Sequence, residues 1–113
     1  MNIQIFGTKK SSDARKAERW FKERRIKFQY IDLREKGLSK GELRSVAQAV
    51  GGLEELIDEK AKDGYAVALA QHTPSSMLED VLLDNQQILR QPIVRNGRQA
   101  TVGYEPDVWK TWE

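Results

Sequence analysis

The chain opens on an alternation. Between Asn2 and Phe6, Ile3 and Ile5 fall on one side of an extended segment and Phe6 begins the other, the period of two that marks a strand. Gly7 to Lys10 makes a turn, and Ser11, Ser12 and Asp13 are all side chains suited to capping a helix. Ala14, Ala17, Trp20 and Phe21 recur at helical spacing, which predicts a helix running to about Arg25. Phe28, Tyr30 and Ile31 supply a second strand ending at Asp32. Strand, helix and strand within roughly thirty residues form a βαβ unit, whose crossover implies parallel pairing of the right-handed kind.

The middle of the chain reads as helical. Ser39 and Glu42 are spaced as a capping box ahead of Leu43, Val46 and Val50, and Gly51-Gly52 follows where a left-handed cap is expected. Leu53 to Lys60 predicts a shorter helix and Lys62 to Tyr65 a turn. A third helix is expected from Thr73-Pro74 through Met77, Leu78, Val81 and Leu82. Asn85, Gln86 and Gln87 read as a polar turn, and Ile88-Leu89 leads to Gln91-Pro92. Asn96-Gly97, between strand-like runs at 93–95 and 99–102, favours a hairpin with a two-residue type I′ turn. Gly103 breaks the second run, and Pro106 begins a terminal helix with Val108, Trp109 and Trp112. The Trp20-Phe21 and Trp109-Trp112 spacings suit packing against a sheet.

The order βαβ, helices, ββα predicts an α/β fold with one four-stranded mixed sheet on a thioredoxin-like plan. The first and last helices are expected to cover the faces of that sheet. A helical insertion, from about residue 36 to residue 88, separates its halves within a single domain spanning residues 1–113. Pro92, directly before the third strand, is open to a cis or a trans bond.

Composition narrows the chemistry. There are no cysteines among the 113 residues and one histidine, so disulfides, thiolate metal sites and cysteine nucleophiles are excluded and no cofactor is expected. No apolar stretch is long enough to span a bilayer and no secretory signal opens the chain, so a cytoplasmic protein is expected. The acids Glu54, Glu55, Asp58, Glu59 and Asp63 lack the alternating oxygen-ligand pattern of a calcium loop. The formal net charge of +2 is unevenly spread: residues 1–27 hold nine basic residues against three acids, leaving the remainder at −4. Such a front end fits either a solvated helix face or an anionic partner. Nucleic acid is not expected, because no reader motif accompanies the charge. His72, between Gln71 and Thr73, reads as a surface residue.

The opening IQIFGTKKSSDARKAERWF, the middle LEELIDEKAKDGY and the ending LLDNQQILRQPIVRNGRQATVGYEPDVW resemble the arsenate reductase (ArsC)/Spx family over nearly the whole chain. The resemblance implies a thioredoxin-like fold whose first helix is headed by a nucleophilic cysteine, with a basic residue four positions later. Ser11 stands at that cysteine position and Arg15 keeps the basic residue. In the arsenate reductase branch an arginine precedes the late proline and another follows the last turn's glycine. Here those positions carry Gln91, with Arg90 one residue earlier, before Pro92, and Tyr104 after Gly103. Lys60 falls where the branch has a further basic residue, although Asp58-Glu59 departs from its usual Asn-Thr. The Gly103-Tyr104 pair is more similar to the Spx-like branch, whose members are regulators that bind the C-terminal domain of the RNA polymerase α subunit.

A thiol at a helix N-terminus ionises readily because orphan N–H groups and the helix dipole stabilise the thiolate. A serine hydroxyl there stays protonated and forms no disulfide, and activating it requires an adjacent base. No catalytic residue is therefore expected, and Ser11 is expected to cap the helix. Two readings of the surrounding charge stay open. Lys9, Lys10, Ser11, Ser12 and Arg15, with Arg90, Gln91, Pro92 and Tyr104, form a site for phosphate, sulfate or an acidic partner group; or the helix is simply capped and its lysines solvated. The sequence thus points to a binding or regulatory protein, with the polymerase α subunit as the family-implied partner. The alternative is an arsenate reductase-like oxidoreductase using glutathione and glutaredoxin.

Overall fold

The computed structural model describes residues 1–112. Four strands, β1 (Ile3–Gly7), β2 (Phe28–Asp32), β3 (Ile93–Asn96) and β4 (Gln99–Val102), lie in the order β2-β1-β3-β4. β1 runs parallel to β2 and antiparallel to β3, and β3 pairs antiparallel with β4. This is the mixed sheet expected from a βαβ start and a ββα end, on a thioredoxin-like plan.

The pleat divides the core. Ile5 lies opposite Tyr30 and Val94, and Val94 lies opposite Thr101, so these residues share one face. Against it pack α1 (Ser12–Glu23) and the one-turn α5 (Pro106–Trp109). Ala17, Trp20, Phe21, Trp109 and Trp112 join Ile3, Ile5 and Val94 in a single buried cluster. The rings of Trp20 and Phe21 lie 5.5 and 5.1 Å from that of Trp109, which donates its indole N–H to Thr101 Oγ1 at 2.7 Å. A four-residue helix has little stability alone; this aromatic packing and buried hydrogen bond hold it.

Phe6, Ile31 and Ile93 point to the opposite face, which is covered by the insertion: α2 (Lys40–Val50), α3 (Gly64–His72) and α4 (Ser75–Asp84). The expectation that the first and last helices divide the two faces is therefore corrected. Both lie on one side because Trp20 and Trp109 need each other, and the insertion takes the side left open.

Local chemistry explains most boundaries. Ser39 and Glu42 form a complete capping box, and Gly51 ends α2 in the left-handed region at φ 101°. α1 stops at Glu23, two residues short of the expected end, as Arg25 turns left-handed at φ 58° and Ile26 N–H reaches back to the Phe21 carbonyl. Leu53–Leu56 is only a 3₁₀ turn. The helix expected to reach Lys60 gives way because Ile57 pairs with Leu89 in an antiparallel bridge. Where a turn was expected at 62–65, α3 begins, capped by Asp63, whose Oδ1 accepts from Ala66 N–H at 3.0 Å. The Gln91–Pro92 bond is cis. The hairpin forms, but Asn96 pairs with Gln99, so Gly97-Arg98 is the loop rather than Asn96-Gly97. Of the two loop residues only Gly97 has a positive φ, the sign pattern of a type II′ turn, which wants glycine first.

Between sheet and α2 lies a polar chain. Arg95 Nη1 donates to Gln4 Oε1 at 2.8 Å, and Gln4 Nε2 donates to Glu42 Oε2 at 3.3 Å. Burial pushes the Glu42 carboxyl up, but hydrogen bonds from Ser39 and Gln4 and the charge of Arg95 outweigh it and hold the group below its ordinary range. Its folded pKa being depressed, the stability it lends is present above the unfolded carboxylate value and lost as pH falls through the folded one. Glu42→Gln should therefore flatten the acid limb of stability against pH, measured by urea midpoints between neutral pH and the acid transition. Trp109→Ala should cost about 3–5 kcal/mol by emptying the aromatic cluster, read from the denaturant midpoint at neutral pH.

Candidate functional site

The head of α1 sits where β1 ends. Gly7 is buried there, and a β-carbon on it would stand 2.8 Å from the Ala14 Cβ and 3.2 Å from the Tyr30 hydroxyl. Only glycine lets the first turn of the helix approach the strand this closely. Ser11 caps the helix, its Oγ accepting from Ala14 N–H at 3.1 Å, while its own N–H returns to the Thr8 carbonyl. Thr8 N–H donates to Gln91 Oε1 at 2.6 Å, tying the α1 loop to the residue before the cis proline.

Beside this head opens a cleft of about 830 Å³. Lys10, Ser11, Gln91 and Lys60 line it. The other sequence-predicted residues lie elsewhere. Lys9 pairs with Glu18 at 3.4 Å and sits over the Tyr30 ring, and the Arg15 guanidinium bonds the Lys9 carbonyl. Ser12 is exposed at the start of α1. Pro92 is buried, its carbonyl accepting from Gly103 N–H. Arg90 donates to the Glu55 carbonyl at 3.2 Å, and Tyr104 packs edge-on to Trp109. His72 is exposed at the end of α3, its Nδ1 2.8 Å from the Ala68 carbonyl, and does not line the cleft.

Three further cations belong to the cleft: Arg34, Lys36 and Lys62. The first two ride on a turn built around Asp32, whose carbonyl accepts from the N–H groups of Glu35, Lys36 and Gly37. Arg34 pairs with the Asp32 carboxylate at 3.3 Å and holds that group below its usual range. Lys62 follows Asp58, which orders the loop by accepting from Lys60 N–H at 3.0 Å. The floor is fixed by Gln86, whose side-chain amide clamps both backbone groups of Leu38, at 2.8 and 2.9 Å. Expected as part of a polar turn, Gln86 ties the end of the insertion back to its beginning. Lys36 and Lys62 gave no separate signal in the sequence, since only the fold brings their loops to the helix head.

A cap at the end of β1, a cis proline beside it and a helical insertion over the open sheet face make a recognisable arrangement. The model of the ArsC family matches residues 6–112. The chain belongs to the ArsC family. It is 28% identical to the Global transcriptional regulator Spx 2 of Oceanobacillus iheyensis over 109 residues, 95% of this chain and 80% of that one. The Staphylococcus aureus Global transcriptional regulator Spx is 23% identical over 107 residues, 93% of this chain and 82% of that one. Among solved structures, the Vibrio cholerae arsenate reductase superposes with a TM-score of 0.80 at 22% identity, over 96% of this chain and 94% of that one. An arsenate reductase-related protein of Brucella melitensis gives 0.63 at 18% identity, over 99% and 94% of the two chains. The structural matches establish the shared fold.

Among the described residues no group of three or more acids or histidines could hold a metal ion, and no helix is long and apolar enough to cross a membrane. The Ser11 hydroxyl has no histidine beside it to take its proton, and one of its two lone pairs accepts from Ala14 N–H as the helix cap. What the geometry presents is the capped end of α1 beside a cleft lined by four lysines. Removing the cap by Ser11→Ala should destabilise the fold by about 1 kcal/mol, while Ser11→Asp should restore most of it, both checked by thermal or urea unfolding.

Proposed function

We propose that this ArsC-family chain is a non-catalytic binding protein that acts through a regulatory partner. One observation carries the reading: the helix head where the resemblance places a redox cysteine bears Ser11, whose oxygen caps the helix by accepting from Ala14 N–H, in a chain with no cysteine anywhere. Attack on an oxyanion followed by disulfide exchange needs a sulfur that forms and breaks an S–S bond, and a hydroxyl supplies neither step. The two relatives called global transcriptional regulators support a regulatory role, and the C-terminal domain of the RNA polymerase α subunit is the partner the resemblance implies. Localisation in the cytoplasm follows from that partner. The helix head and cleft would meet the partner's acidic groups or a phosphate or sulfate ion.

Purified protein, given arsenate, glutathione and glutaredoxin, should reduce no more arsenate than a protein-free blank. The isolated C-terminal domain of the polymerase α subunit should retain the chain in a pull-down at physiological salt. Turnover abolished by Ser11→Ala would overturn the reading in favour of a reductase, and loss of retention at that salt would remove the polymerase as partner.

A further inference from the structure

The lining of the cleft beside α1 carries five cations against three carboxylates, and four of those cations are lysines. Lys10, Lys36, Lys60 and Lys62 come from three loops, are all exposed, and form no ion pair within 4.0 Å among the described residues. They stay free although Asp58, Asp63 and Asp84 share the lining. Asp58 is engaged by the backbone of its own turn, and Asp63 by Ala66 N–H and the Gln87 side chain at 3.0 Å. The floor is apolar where Leu33, Ala61 and Leu83 line it. From this the geometry points to an extended acidic peptide segment of a protein partner as the occupant. The inference rests on the binding role proposed above and names what is bound.

Three contrasts support it. A compact tetrahedral anion is held best by arginine forks, which donate two parallel hydrogen bonds, whereas ammonium groups are point charges. Here four ammoniums are spread around the cleft, Arg34 is committed to Asp32, and Arg90 is turned to the Glu55 carbonyl. A nucleic acid backbone is the second contrast. It offers acceptors and no donors, so it can bond none of the Asp58, Asp63 and Asp84 carboxylates, and no aromatic ring lines the cleft for a base to stack on. A peptide carries both kinds of group. Its carboxylates meet the lysines and its backbone N–H groups meet the aspartates, while its methylenes cover the apolar floor. Size is the third: the volume of about 830 Å³ exceeds what a four-oxygen ion fills and suits several residues of extended chain.

The test uses the full chain, labelled with ¹⁵N, and a fluorescent ten-residue peptide rich in Glu and Asp. An oligonucleotide of equal charge and inorganic phosphate are the competitors. Saturable shifts at Lys10, Lys36, Lys60 and Lys62, with the peptide bound more tightly than either competitor, are expected. Affinity should fall about tenfold or more for Lys36→Glu with Lys62→Glu, and less than about twofold for Lys27→Glu, which lies outside the cleft. Should the double reversal fail to fold by circular dichroism, Lys36→Gln with Lys62→Gln should weaken binding in the same direction. Equal losses in the Lys27 control, tighter binding of the oligonucleotide, displacement by stoichiometric phosphate, or the absence of saturable shifts would each overturn the inference. A peptide that does not bind leaves the lack of turnover standing, whereas Ser11-dependent turnover removes the binding role itself, so the two failures are distinguishable.

Discussion

The seating of α1 against the end of β1 governs the rest of the molecule. Gly7 and Ala14 together let the helix come close enough that its first turn, the exit of the central strand and the Gln91–Pro92 bond meet at one point. A larger side chain at either position would lift the helix head and slacken the Thr8–Gln91 hydrogen bond. From that fixed end the helix runs down the sheet until Trp20 and Phe21 reach Trp109, so one contact sets both the place of the site and the docking of the last turn. Small residues stand at one end of the helix and aromatic ones at the other: close approach where the helix head meets the strand, bulk where α5 is held.

Most of the scaffold was legible because its signals are local. The Ser39–Glu42 capping box, the Ser11 cap and the strand alternation at Ile3 and Ile5 each declare themselves within a few residues, and the structure has all three. What escaped was settled by distant partners. α3 carries Gly64-Tyr65-Ala66-Val67-Ala68-Leu69-Ala70, apolar on nearly every side, so no amphipathic stripe marks it; Asp63, its cap, was the one available sign. Ile57 left the expected helix for Leu89, thirty-two positions away. The turn in the hairpin shifted by one residue because strand register follows the face each side chain must bury, and Val94 belongs with Ile5.

The site divides in the same way. Ser11, Lys10 and Gln91 could be named because they lie beside the helix head or the proline in sequence. Lys9 and Arg15, equally near in sequence, are drawn off by Glu18, the Tyr30 ring and a backbone carbonyl. Charge counted along a segment overstates charge available at a site. The reverse holds for Lys36 and Lys62, which the opening basic run does not include and which the Asp32 turn and the Asp58 loop deliver to the cleft.

Under the binding role proposed above, the absence of sulfur and the spread of the cations belong to one task. A reacting oxyanion has to be held tightly enough to orient it for attack, which favours arginine forks converging on the nucleophile. Once the nucleophile is a capping serine, nothing requires that convergence. Gln91 can then spend its carbonyl oxygen on Thr8 N–H, and Tyr104 can pack against Trp109 instead of facing an anion. Lysines on loops fit this looser demand, since a flexible ammonium follows a ligand whose charges are not fixed at one point. The fold keeps the cleft because much of its lining comes from the insertion, and the insertion is needed to bury Phe6, Ile31 and Ile93 whatever binds outside.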